Sequence, residues 1–534
     1  MKIVTLLARI CLFILLLVTM TFCKTEESES FSNQQQTKDQ KAIALMLDDD
    51  NLIASLQLKT EDLNYLREFY AFRKFDPVWI KDSLLDNAER EFFDFINSDI
   101  KLNLPPKKLY TPPFESHYDI FKKELVTLLR LSEYLDIQEK GFINFKDTVL
   151  RKHEQIKADR LHQFIKLKAN EVPWKDYVIC YKQKDFRILP LHLVINDFTA
   201  KYPLNDGSYE LNLPDDTLGH PDNRVAAVLK ARGFLGDTNI SMDSLRKVLS
   251  NYQYLNGLNP DGKVGKNTIH ILNESNMTRY YKGILALEKI KSIPDSTVGS
   301  KFIDVNIPSF MLKFYNADTL VSEHSIVVGA AVTQTPEFQA PIKNIVTYPY
   351  WHVPYSIASK EILAALRRDP NYLQKNNYEL LKNGKVVSPD NIDWKSIPSN
   401  NFPYRIRQKG GPSNSLGLIK ILFPNEYAVY IHDTPSKYLF KRDIRTFSHG
   451  CIRVEDPIEL CRYILELEDH LYRDSLQSLI ARKEQTYLKI NDQFPVHVKY
   501  RTAERDDSTG MIRFYKDVYD REKNYIRLFP KPGS

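Results

Sequence analysis

The chain has little cysteine and no dense block of charge of either sign. Five cysteines stand among 534 residues, and beyond the N-terminal segment only Cys180, Cys451 and Cys461 remain. This odd number does not indicate a disulfide scaffold. The formal net charge of +6 is spread along the whole chain, so the sequence predicts no nucleic-acid partner. The composition is ordinary for a globular protein, and the length is sufficient for several domains.

Long apolar runs are also lacking, apart from one near the N-terminus. Ile10 to Phe22 is apolar, follows two basic residues and precedes a polar stretch. The run is too short for a comfortable transmembrane helix and predicts a signal peptide over residues 1–23. Cys23 stands where a lipoprotein cysteine would stand, although Phe22 occupies a position where a small residue is expected. Lipidation at Cys23, an ordinary secretory signal and an uncleaved anchor are the alternatives, and each places the protein in the cell envelope.

A thiol, a glycine and two imidazoles lie close together near residue 450. Cys451 follows the turn Ser448-His449-Gly450, and His432 closes the apolar run Ala428 to Ile431, which predicts a strand. A thiol is nucleophilic only as the thiolate, and a nearby imidazole lowers its pKa or takes its proton. Gly450 allows a tight turn in which successive N–H groups point at one spot beside the sulfur. Such an oxyanion hole favours acyl transfer.

Two other interpretations fit part of this motif. The first is a buried structural cysteine with two unrelated histidines, because free cysteine is among the most buried residue types. The second is a zinc site formed by His432, His449 and Cys451. A zinc site lacks a clear fourth Cys or His ligand at a usual spacing in this sequence, so we expect no metal here.

The motif resembles the signature of L,D-transpeptidases of the YkuD type. That signature is a His, a spacer, Ser or Thr, His-Gly-Cys, an apolar residue, and Asn or Arg; here the spacer is Asp433 to Phe447, and Ile452 and Arg453 follow the cysteine. The resemblance is strongest from Ile303 to Tyr463. Several short segments resemble the sequence pattern of the YcbB-like subgroup of these enzymes: Phe75 to Trp79, Tyr350 to Pro354, Asn401 to Gln408, Gly411 to Gly417, and His432 to Pro435.

The resemblance and the hydrophobic patterns together imply a multidomain α+β protein. We expect a helical scaffold and a small three-helix module, plus a mostly β YkuD-type catalytic domain with a helical capping insertion. From Lys301 onward apolar residues alternate with polar ones, which predicts strands. The expected order is a signal peptide at 1–23, a flexible tether at 24–40, the scaffold at 41–214, the module at 215–278, the catalytic domain at 300–475 with its capping insertion at 355–400, and a C-terminal extension at 476–534 that returns to the scaffold or the catalytic domain.

The small module resembles peptidoglycan-binding modules. A predicted amphipathic helix ends near Tyr252-Gln253, and a glycine-rich turn leads into another helix. A helical spacer that binds nothing is the alternative, because the motif encodes fold better than ligand contacts. The module residues that carry the resemblance are Tyr252, Gln253, Gly257, Asp261, Gly262, Gly265 and Thr268.

The resemblance implies acyl transfer on peptidoglycan stem peptides, with a 3→3 cross-link as the product. Cys451 is the expected nucleophile, and His432 is the expected general base and acid. The backbone carbonyl of Asp433 would orient the His432 ring, and the Gly450 N–H would stabilise the oxyanion. The reaction passes through a cysteine thioester and requires no cofactor.

The remaining site expectations concern substrate binding. Core packing or a structural ion pair is an equal alternative for the aromatic and arginine candidates. Some YcbB-like members carry Ser where His449 stands, so His449 is not assumed to be a base. The candidate substrate-binding residues are Ser448, His449, Arg453, Trp351, Tyr404, Arg405 and Arg407.

Two rival functions remain open at this stage. With the same site, water in place of an amine would give an L,D-carboxypeptidase or a cross-link hydrolase. A non-catalytic cell-wall-binding protein is the second rival. The implied partners are peptidoglycan stem peptides and other cell-wall enzymes, and the expected compartment is the periplasm, with membrane contact only through the N-terminal segment.

Overall fold

The structure is a computed structural model that describes residues 36–49, 51, 56, 58–85, 87–104, 119–152, 154–168, 172–181, 185–207, 209–211, 219–236, 240–292, 301–317, 319–491 and 494–529. The expected signal peptide and Cys23 lie outside these residues. Within the described part of the chain, no helix combines the length and apolarity needed to cross a membrane. The chain divides into two compact units, Met1–Asp295 with Thr502–Ser534, and Ser296–Arg501.

The first unit is mainly helical, as the amphipathic patterns predicted. It also contains a two-stranded hairpin of β1 (Ile143–Asn144) and β2 (Val149–Leu150). Its helices before the second unit are α1 (Lys38–Asp48), α2 (Thr60–Phe72), α3 (Asn87–Ile96), α4 (Ile120–Lys140), α5 (Ala158–Lys166), α6 (Trp174–Ile179), α7 (Ile188–Lys201), α8 (Asn223–Ala231), α9 (Met242–Leu255), α10 (Lys266–Asn273) and α11 (Asn276–Lys291).

Helix α4 is buried along most of its length in this unit. The Asp119 carboxylate accepts hydrogen bonds from the first-turn N–H groups, and the helix ends at Gly141, whose φ of 70° suits glycine. Near its start Glu124 accepts hydrogen bonds from the Tyr70 hydroxyl at 2.9 Å and from the Trp79 N–H at 3.1 Å. The segment from Phe75 to Trp79 is therefore held by a buried carboxyl group of this helix.

Helices α8, α9 and α10 surround a small core of their own. Ser241 begins α9 by accepting a hydrogen bond from the Ser244 N–H. The apolar side chains of the three helices meet because each helix is amphipathic. Buried members of this core are Val225, Val228, Leu229, Leu245, Leu249, Tyr252, Ile271 and Leu272.

The second unit is built on one large mixed sheet and a smaller one. Its helices are short and lie mostly after residue 354. Its strands are β3 (Lys301–Asn306), β4 (Met311–Asn316), β5 (Thr319–Gly329), β6 (Phe338–Pro341), β7 (Asn344–Thr347), β8 (Trp351–His352), β9 (Tyr378–Lys382), β10 (Lys385–Val387), β11 (Arg405–Gln408), β12 (Ile419–Leu422), β13 (Ile431–His432), β14 (Thr446–Ser448), β15 (Ile452–Val454), β16 (Thr486–Lys489) and β17 (Pro495–Lys499). Its helices are α12 (Tyr355–Ile357), a π-helical turn (Ala358–Ile362), α13 (Leu363–Arg368), α14 (Tyr372–Lys375), α15 (Pro457–Leu467) and α16 (Leu476–Ala481).

The large sheet runs in the order β16-β7-β12-β13-β15-β5-β4-β3-β17-β6, with β14 beside β5. Neighbours are antiparallel except for the parallel pairs β13–β15, β14–β5 and β3–β17. The alternation that predicted strands from Lys301 is confirmed by β3 and β4. The predicted mostly β domain after a helical N-terminal part is the observed architecture.

Both faces of β3 are buried, so its polar side chains need partners inside the unit. The Asp304 carboxylate forms an ion pair with the Arg501 guanidinium, and both side chains are almost fully buried. Asn306 accepts a hydrogen bond from the Arg501 N–H and donates one to the Arg501 carbonyl, each at 2.9 Å. Arg501 therefore ties the end of the unit to its first strand.

Replacing Arg501 by methionine should destabilise the second unit strongly. The Asp304 carboxylate would lose its cation in a buried environment, which costs about 3–5 kcal/mol when one partner of a buried pair is removed. Urea unfolding of the full chain measures the loss. The double variant Asp304→Asn, Arg501→Met serves as the control and should recover part of it; a single variant as stable as the unchanged protein would contradict the expectation.

The capping insertion is helical in its first half only. Helices and the π-helical turn cover Tyr355 to Lys375, but β9 and β10 form a hairpin where the pattern indicated further helix. Asn383 and Gly384 turn the chain with φ values of 50° and 78°, and this Asn-Gly pair is the two-residue turn that suits twisted strands. The hairpin joins β11 and β8 in a four-stranded sheet ordered β10-β9-β11-β8.

The C-terminal extension contributes to both units. Strand β17 completes the large sheet between β3 and β6. The chain then adds an antiparallel hairpin of β18 (Ala503–Arg505) and β19 (Ile512–Phe514), and helix α17 (Lys523–Ile526), to the first unit. The expected return to the scaffold or the catalytic domain thus involves each of them in turn.

Candidate active site

Three neighbouring strands bring three of the reactive side chains to one face of the large sheet. The parallel register of β13 and β15 sets His432 beside Arg453, and the antiparallel register of β12 and β13 sets Lys420 opposite His432. Side chains alternate between the two faces of an extended chain. Lys420, His432 and Arg453 therefore share one face, while Tyr430 directly precedes β13 and Cys451 directly precedes β15.

The His432 ring is buried and held by its neighbour in the chain. Its Nδ1 atom lies 2.5 Å from the Asp433 carbonyl oxygen, the acceptor to which the resemblance pointed. The Asp433 carboxylate in turn accepts hydrogen bonds from the N–H groups of Leu418 and Thr434, at 2.9 Å and 2.7 Å. Because Nδ1 donates to a carbonyl, the proton sits there and Nε2 is left as an acceptor. This tautomer is the one that a general base requires.

Burial lowers the pKa of His432 to about 3, and the nearby positive charge of Arg453 acts in the same direction. Burial also raises the pKa of the Cys451 thiol above its ordinary value, whereas contacts with Tyr430 and the charges of Lys420 and Arg453 oppose that rise. At neutral pH the thiol and the imidazole are therefore both uncharged. The Cys451 Sγ atom lies 4.0 Å from the Ala428 carbonyl oxygen.

Hydrogen bonds of the Ser448 side chain hold the turn that precedes Cys451. Gly450 has a φ of 109°, which favours glycine. The Ser448 hydroxyl donates to the Cys451 carbonyl at 2.5 Å and accepts the Gly450 N–H at 3.1 Å. The expected oxyanion donor of Gly450 is thus already engaged. Among the described residues none accepts the Cys451 N–H, so that group is the backbone donor left at the sulfur.

The segment from Ala330 to Thr335 (the strap) follows β5 and also holds this turn. No pattern in the sequence predicted this role. The Thr335 hydroxyl donates to the Gly450 carbonyl at 2.9 Å and accepts the Gly329 N–H at 2.9 Å. The Ser448 carbonyl accepts from the Ala330 N–H and the Thr333 hydroxyl, at 2.9 Å and 3.2 Å. The strap passes so close to β5 that only glycine fits at position 329, where a Cβ atom would lie 2.1 Å from the Thr333 carbonyl oxygen.

Comparison with known proteins finds matches to part of the chain. Residues 300–486 match the YkuD family model, that of the L,D-transpeptidase catalytic domain. A protein of Haemophilus influenzae named "Putative L,D-transpeptidase" is 37% identical over 258 residues, which are 48% of this chain and 51% of that protein. The chain thus spans about half the length of that curated relative.

One solved structure also aligns with the chain. It is titled "Structure of the Ldtfm-avibactam carbamoyl enzyme", and the alignment covers 40% of this chain and 61% of that one. The sequence identity is 13% and the TM-score is 0.17, values too low to support an argument about the site. Residues 300–486 are therefore similar to the YkuD catalytic domain, and the YcbB-like subgroup stays a prediction.

The capping insertion contacts the nucleophile turn at one point. The exposed His449 ring lies 3.0 Å from the Glu361 carboxylate, in the π-helical turn, and such turns are often found at functional sites. On β8, which precedes the insertion, Trp351 acts to lower the pKa of Tyr430. Tyr430 in turn acts to lower the pKa of the Cys451 thiol.

Replacing His449 by alanine should lower the rate of Cys451 acylation by no more than about fivefold, because an exposed ion pair contributes only about 0–1 kcal/mol. Its ring is turned to Glu361 rather than toward a reacting group. Stopped-flow measurement of acylation by a carbapenem checks this value. A loss of two orders of magnitude would instead make His449 a base of the reaction.

The structure separates the predicted substrate-binding residues into three groups. Arg453 and Trp351 lie at the site, while Ser448 is buried inside the turn and His449 faces the insertion. Tyr404 packs in the core of the insertion, with ring centroids 6.0 Å from Trp394. The remaining candidates lie on β11, where Arg407 forms an ion pair with Glu379 at 2.6 Å and Arg405 is exposed opposite Leu381.

The module residues that carried the resemblance serve the fold of the module. The buried Gln253 amide donates to the Asp261 carboxylate, the Lys263 carbonyl and the Thr268 hydroxyl, and its oxygen accepts the Gly262 N–H at 2.8 Å. The remaining module residues are turn glycines or a buried ring: the Tyr252 hydroxyl donates to a carbonyl of α10, Gly257 and Gly262 have φ values of 70° and 65°, and Gly265 precedes α10. An open groove beside this turn is lined by Arg246, Lys247, Ser250, Asn251, Tyr254, Pro260, Asp261 and Gly262.

One group among the described residues has the composition of a metal site. Ligand atoms of His324, Asp456 and Glu459 lie within 4.8 Å of one another. The histidine is buried and its Nε2 lies 3.1 Å from the Ser322 hydroxyl oxygen, whereas the two carboxylates are largely solvent-accessible. Exposed carboxylates gather in this way without a metal, so we assign no ion to the group.

Proposed function

We propose that the chain is a peptidoglycan L,D-transpeptidase that forms 3→3 cross-links through a thioester on Cys451. One observation carries this proposal: Cys451 directly precedes β15, the strand that pairs with β13, and β13 carries a neutral His432 whose Nδ1 is held by the Asp433 carbonyl. The match of residues 300–486 to the L,D-transpeptidase catalytic domain supports the reaction class.

The acylation step moves one proton and exchanges one bond. His432 Nε2 takes the thiol proton as the sulfur of Cys451 attacks the carbonyl between the third stem residue and its terminal D-Ala. The tetrahedral oxyanion receives hydrogen bonds from the Cys451 N–H and the Tyr430 hydroxyl, each contributing about 3 kcal/mol to the transition state. The C–N bond then breaks, and the imidazolium gives its proton to the departing D-Ala amine.

The second step regenerates the thiol. A side-chain amine of a second stem attacks the thioester carbonyl, the C–S bond breaks, and the amine proton passes through His432 to the sulfur. Water in place of the amine gives hydrolysis with the same residues. Neither step needs a cofactor, because the chain supplies nucleophile, base and oxyanion donors.

The proposal is tested by analysing the products from purified stem peptides. The full chain is incubated with a disaccharide tetrapeptide, and the products are identified by mass spectrometry. A dimer that has lost one D-Ala supports transpeptidation, whereas released D-Ala without dimer makes the chain a carboxypeptidase. No product of either kind overturns the catalytic proposal and favours a wall-binding role, for which the groove of the small module is the candidate surface.

The N-terminal segment is proposed to carry the protein to the periplasmic side of the cell envelope, where stem peptides and other cell-wall enzymes are found. Cys23 is the proposed lipidation position. A mass spectrum of the N-terminal peptide from membrane fractions tests it, since a diacylglyceryl adduct on Cys23 supports the anchor and cleavage without an adduct supports an ordinary signal peptide.

A further inference from the structure

Lys420 is a charged residue in an otherwise apolar interior strand of the large sheet, β12. Its neighbours Ile419 and Ile421 are fully buried, and Lys420 itself is half-buried between β7 and β13. Removing an ammonium group from water is unfavourable unless a partner compensates. The packing of β12 therefore does not explain why a lysine occupies this position.

The partner of Lys420 is a ring, not a carboxylate. Its Nζ atom lies 3.8 Å from the centroid of the Tyr430 ring, a distance at which a cation is attracted to the face of an aromatic ring. Among the described residues no carboxylate forms an ion pair with Lys420. The same tyrosine acts to lower the pKa of the Cys451 thiol, and Tyr430 directly precedes β13.

Arg453 is a second cation near Cys451 that forms no ion pair with a carboxylate of the described residues. Arg453 lies beside His432 in the parallel register, and its buried Nε has no hydrogen-bond partner. Within the described part of the chain, no ion pair joins the Arg453 guanidinium to a carboxylate. Near Cys451 there are therefore two positive charges that form no ion pair with a carboxylate of the described residues, so an anion formed at the sulfur is favoured there.

We propose that Lys420 is a positioning residue whose ammonium group, held over the Tyr430 ring, stabilises the thiolate of Cys451 and keeps the Tyr430 hydroxyl directed at the sulfur. The proposal rests on the proposed function only in taking Cys451 as the acylated nucleophile. It adds a residue that no motif marks, because Lys420 lies on a different strand from both His432 and Cys451.

The charges around the thiol all act in one direction. Lys420, His432 and Arg453 lie on β12, β13 and β15, and Tyr430 directly precedes β13. The two cations lower the pKa values of both the thiol and the imidazole. On the other side of Lys420, the charge of the lysine contributes to lowering the pKa of His352 on β8. The cations therefore favour a thiolate with a neutral imidazole over a thiolate–imidazolium pair.

The test measures the ionisation of the thiol directly. Alkylation of the full chain by iodoacetamide is followed by mass spectrometry between pH 5 and pH 10, with peptide mapping to isolate Cys451. The variant Lys420→Met keeps the aliphatic stem and removes the charge, and Lys420→Arg keeps the charge. A shift of about one pH unit upward corresponds to about tenfold slower alkylation at pH 7, and we expect it for Lys420→Met and not for Lys420→Arg.

A matched control lies in the capping insertion. Lys382 Nζ also stands over an aromatic ring, that of Tyr404, at 5.8 Å, so Lys382→Met removes a similar contact away from the sulfur and should leave the profile in place. Lys420→Gln repeats the charge removal if the methionine variant does not fold, and circular dichroism establishes folding for each variant.

Each outcome decides the proposal. Superimposable profiles for the unchanged protein and a folded, uncharged Lys420 variant overturn it. Equal shifts in Lys420→Arg and Lys420→Met overturn it too, because shape rather than charge would then be responsible. The alkylation profile does not depend on stem peptides, so a failure of transpeptidation with a shifted profile would reject the proposed function and retain the role of Lys420.

Discussion

Replacing Cys451 by alanine should abolish covalent modification of the protein by a carbapenem, while the unchanged protein should gain one adduct mass. A strained β-lactam carbonyl reacts with the same thiolate as the proposed stem-peptide carbonyl. The other free cysteine among the described residues, Cys461, is fully buried, and burial raises the pKa of its thiol far above its ordinary value. A structural thiol of that kind is inert. Intact-protein mass spectrometry measures the adduct.

The matched control for this prediction is Cys461→Ala, which should still gain the adduct. An adduct on the Cys451→Ala protein would place the nucleophile elsewhere. An unmodified thiol in the unchanged protein at saturating carbapenem would show that Cys451 is not activated. Either result would remove the basis of the acyl-transfer proposal.

The second large effect is expected at the base. Replacing His432 by alanine should slow acylation about 10²–10⁴-fold, because the thiol is protonated at rest and its proton then has no acceptor. Single-turnover kinetics with a carbapenem measures the loss. The His449→Ala protein serves as the matched control, since its imidazole faces Glu361. Unchanged acylation in a folded His432→Ala protein would contradict the assignment.

The pH dependence of acylation follows from the same assignment. A general base acts only when it is unprotonated, so the rate should be lost as pH falls through the pKa of His432, which burial lowers to about 3. Over the range in which an ordinary histidine titrates, near 6.5, the rate should show no acid limb. A pH–rate profile, with circular dichroism to exclude acid unfolding, checks this expectation. A limb near 6.5 would mean that the imidazole is not shielded in solution.

Local patterns were sufficient for much of the second unit. The alternation of Ile303 and Val305 with polar residues corresponds to β3, and the apolar run at Asn344–Thr347 corresponds to β7. Such patterns depend only on the period of a strand, which the chain carries within a few residues. The run before His432 gave a shorter strand than predicted, Ile431–His432, because Ala428 adopts a φ of 54°. The hairpin of β9 and β10 was missed, although its Asn-Gly turn was visible in the sequence.

The sequence likewise predicted some features of the candidate site and missed others. The motif placed His432 and Cys451 in one segment, and it also named Asp433 as the residue whose carbonyl contacts the ring. The engagement of the Gly450 N–H by Ser448 was not foreseen, since a side chain two residues away competes for the same donor. Thr335 could not be found from the motif, because it reaches Gly450 from a part of the chain that is distant in sequence.

Residue types and their spacing were enough to predict the resemblance of residues 300–486 to the YkuD catalytic domain, because the order of His, Ser, His, Gly and Cys lies within one short segment of the chain. The roles of Cys451 and His432 stay predictions. The register of β12, β13 and β15 was settled only by folding. That register sets Lys420, Tyr430 and Arg453 around the sulfur, and backbone pairing between strands far apart in sequence is decided by burial across the whole sheet rather than by any local pattern. The charges that tune the thiol are therefore a property of the assembled sheet.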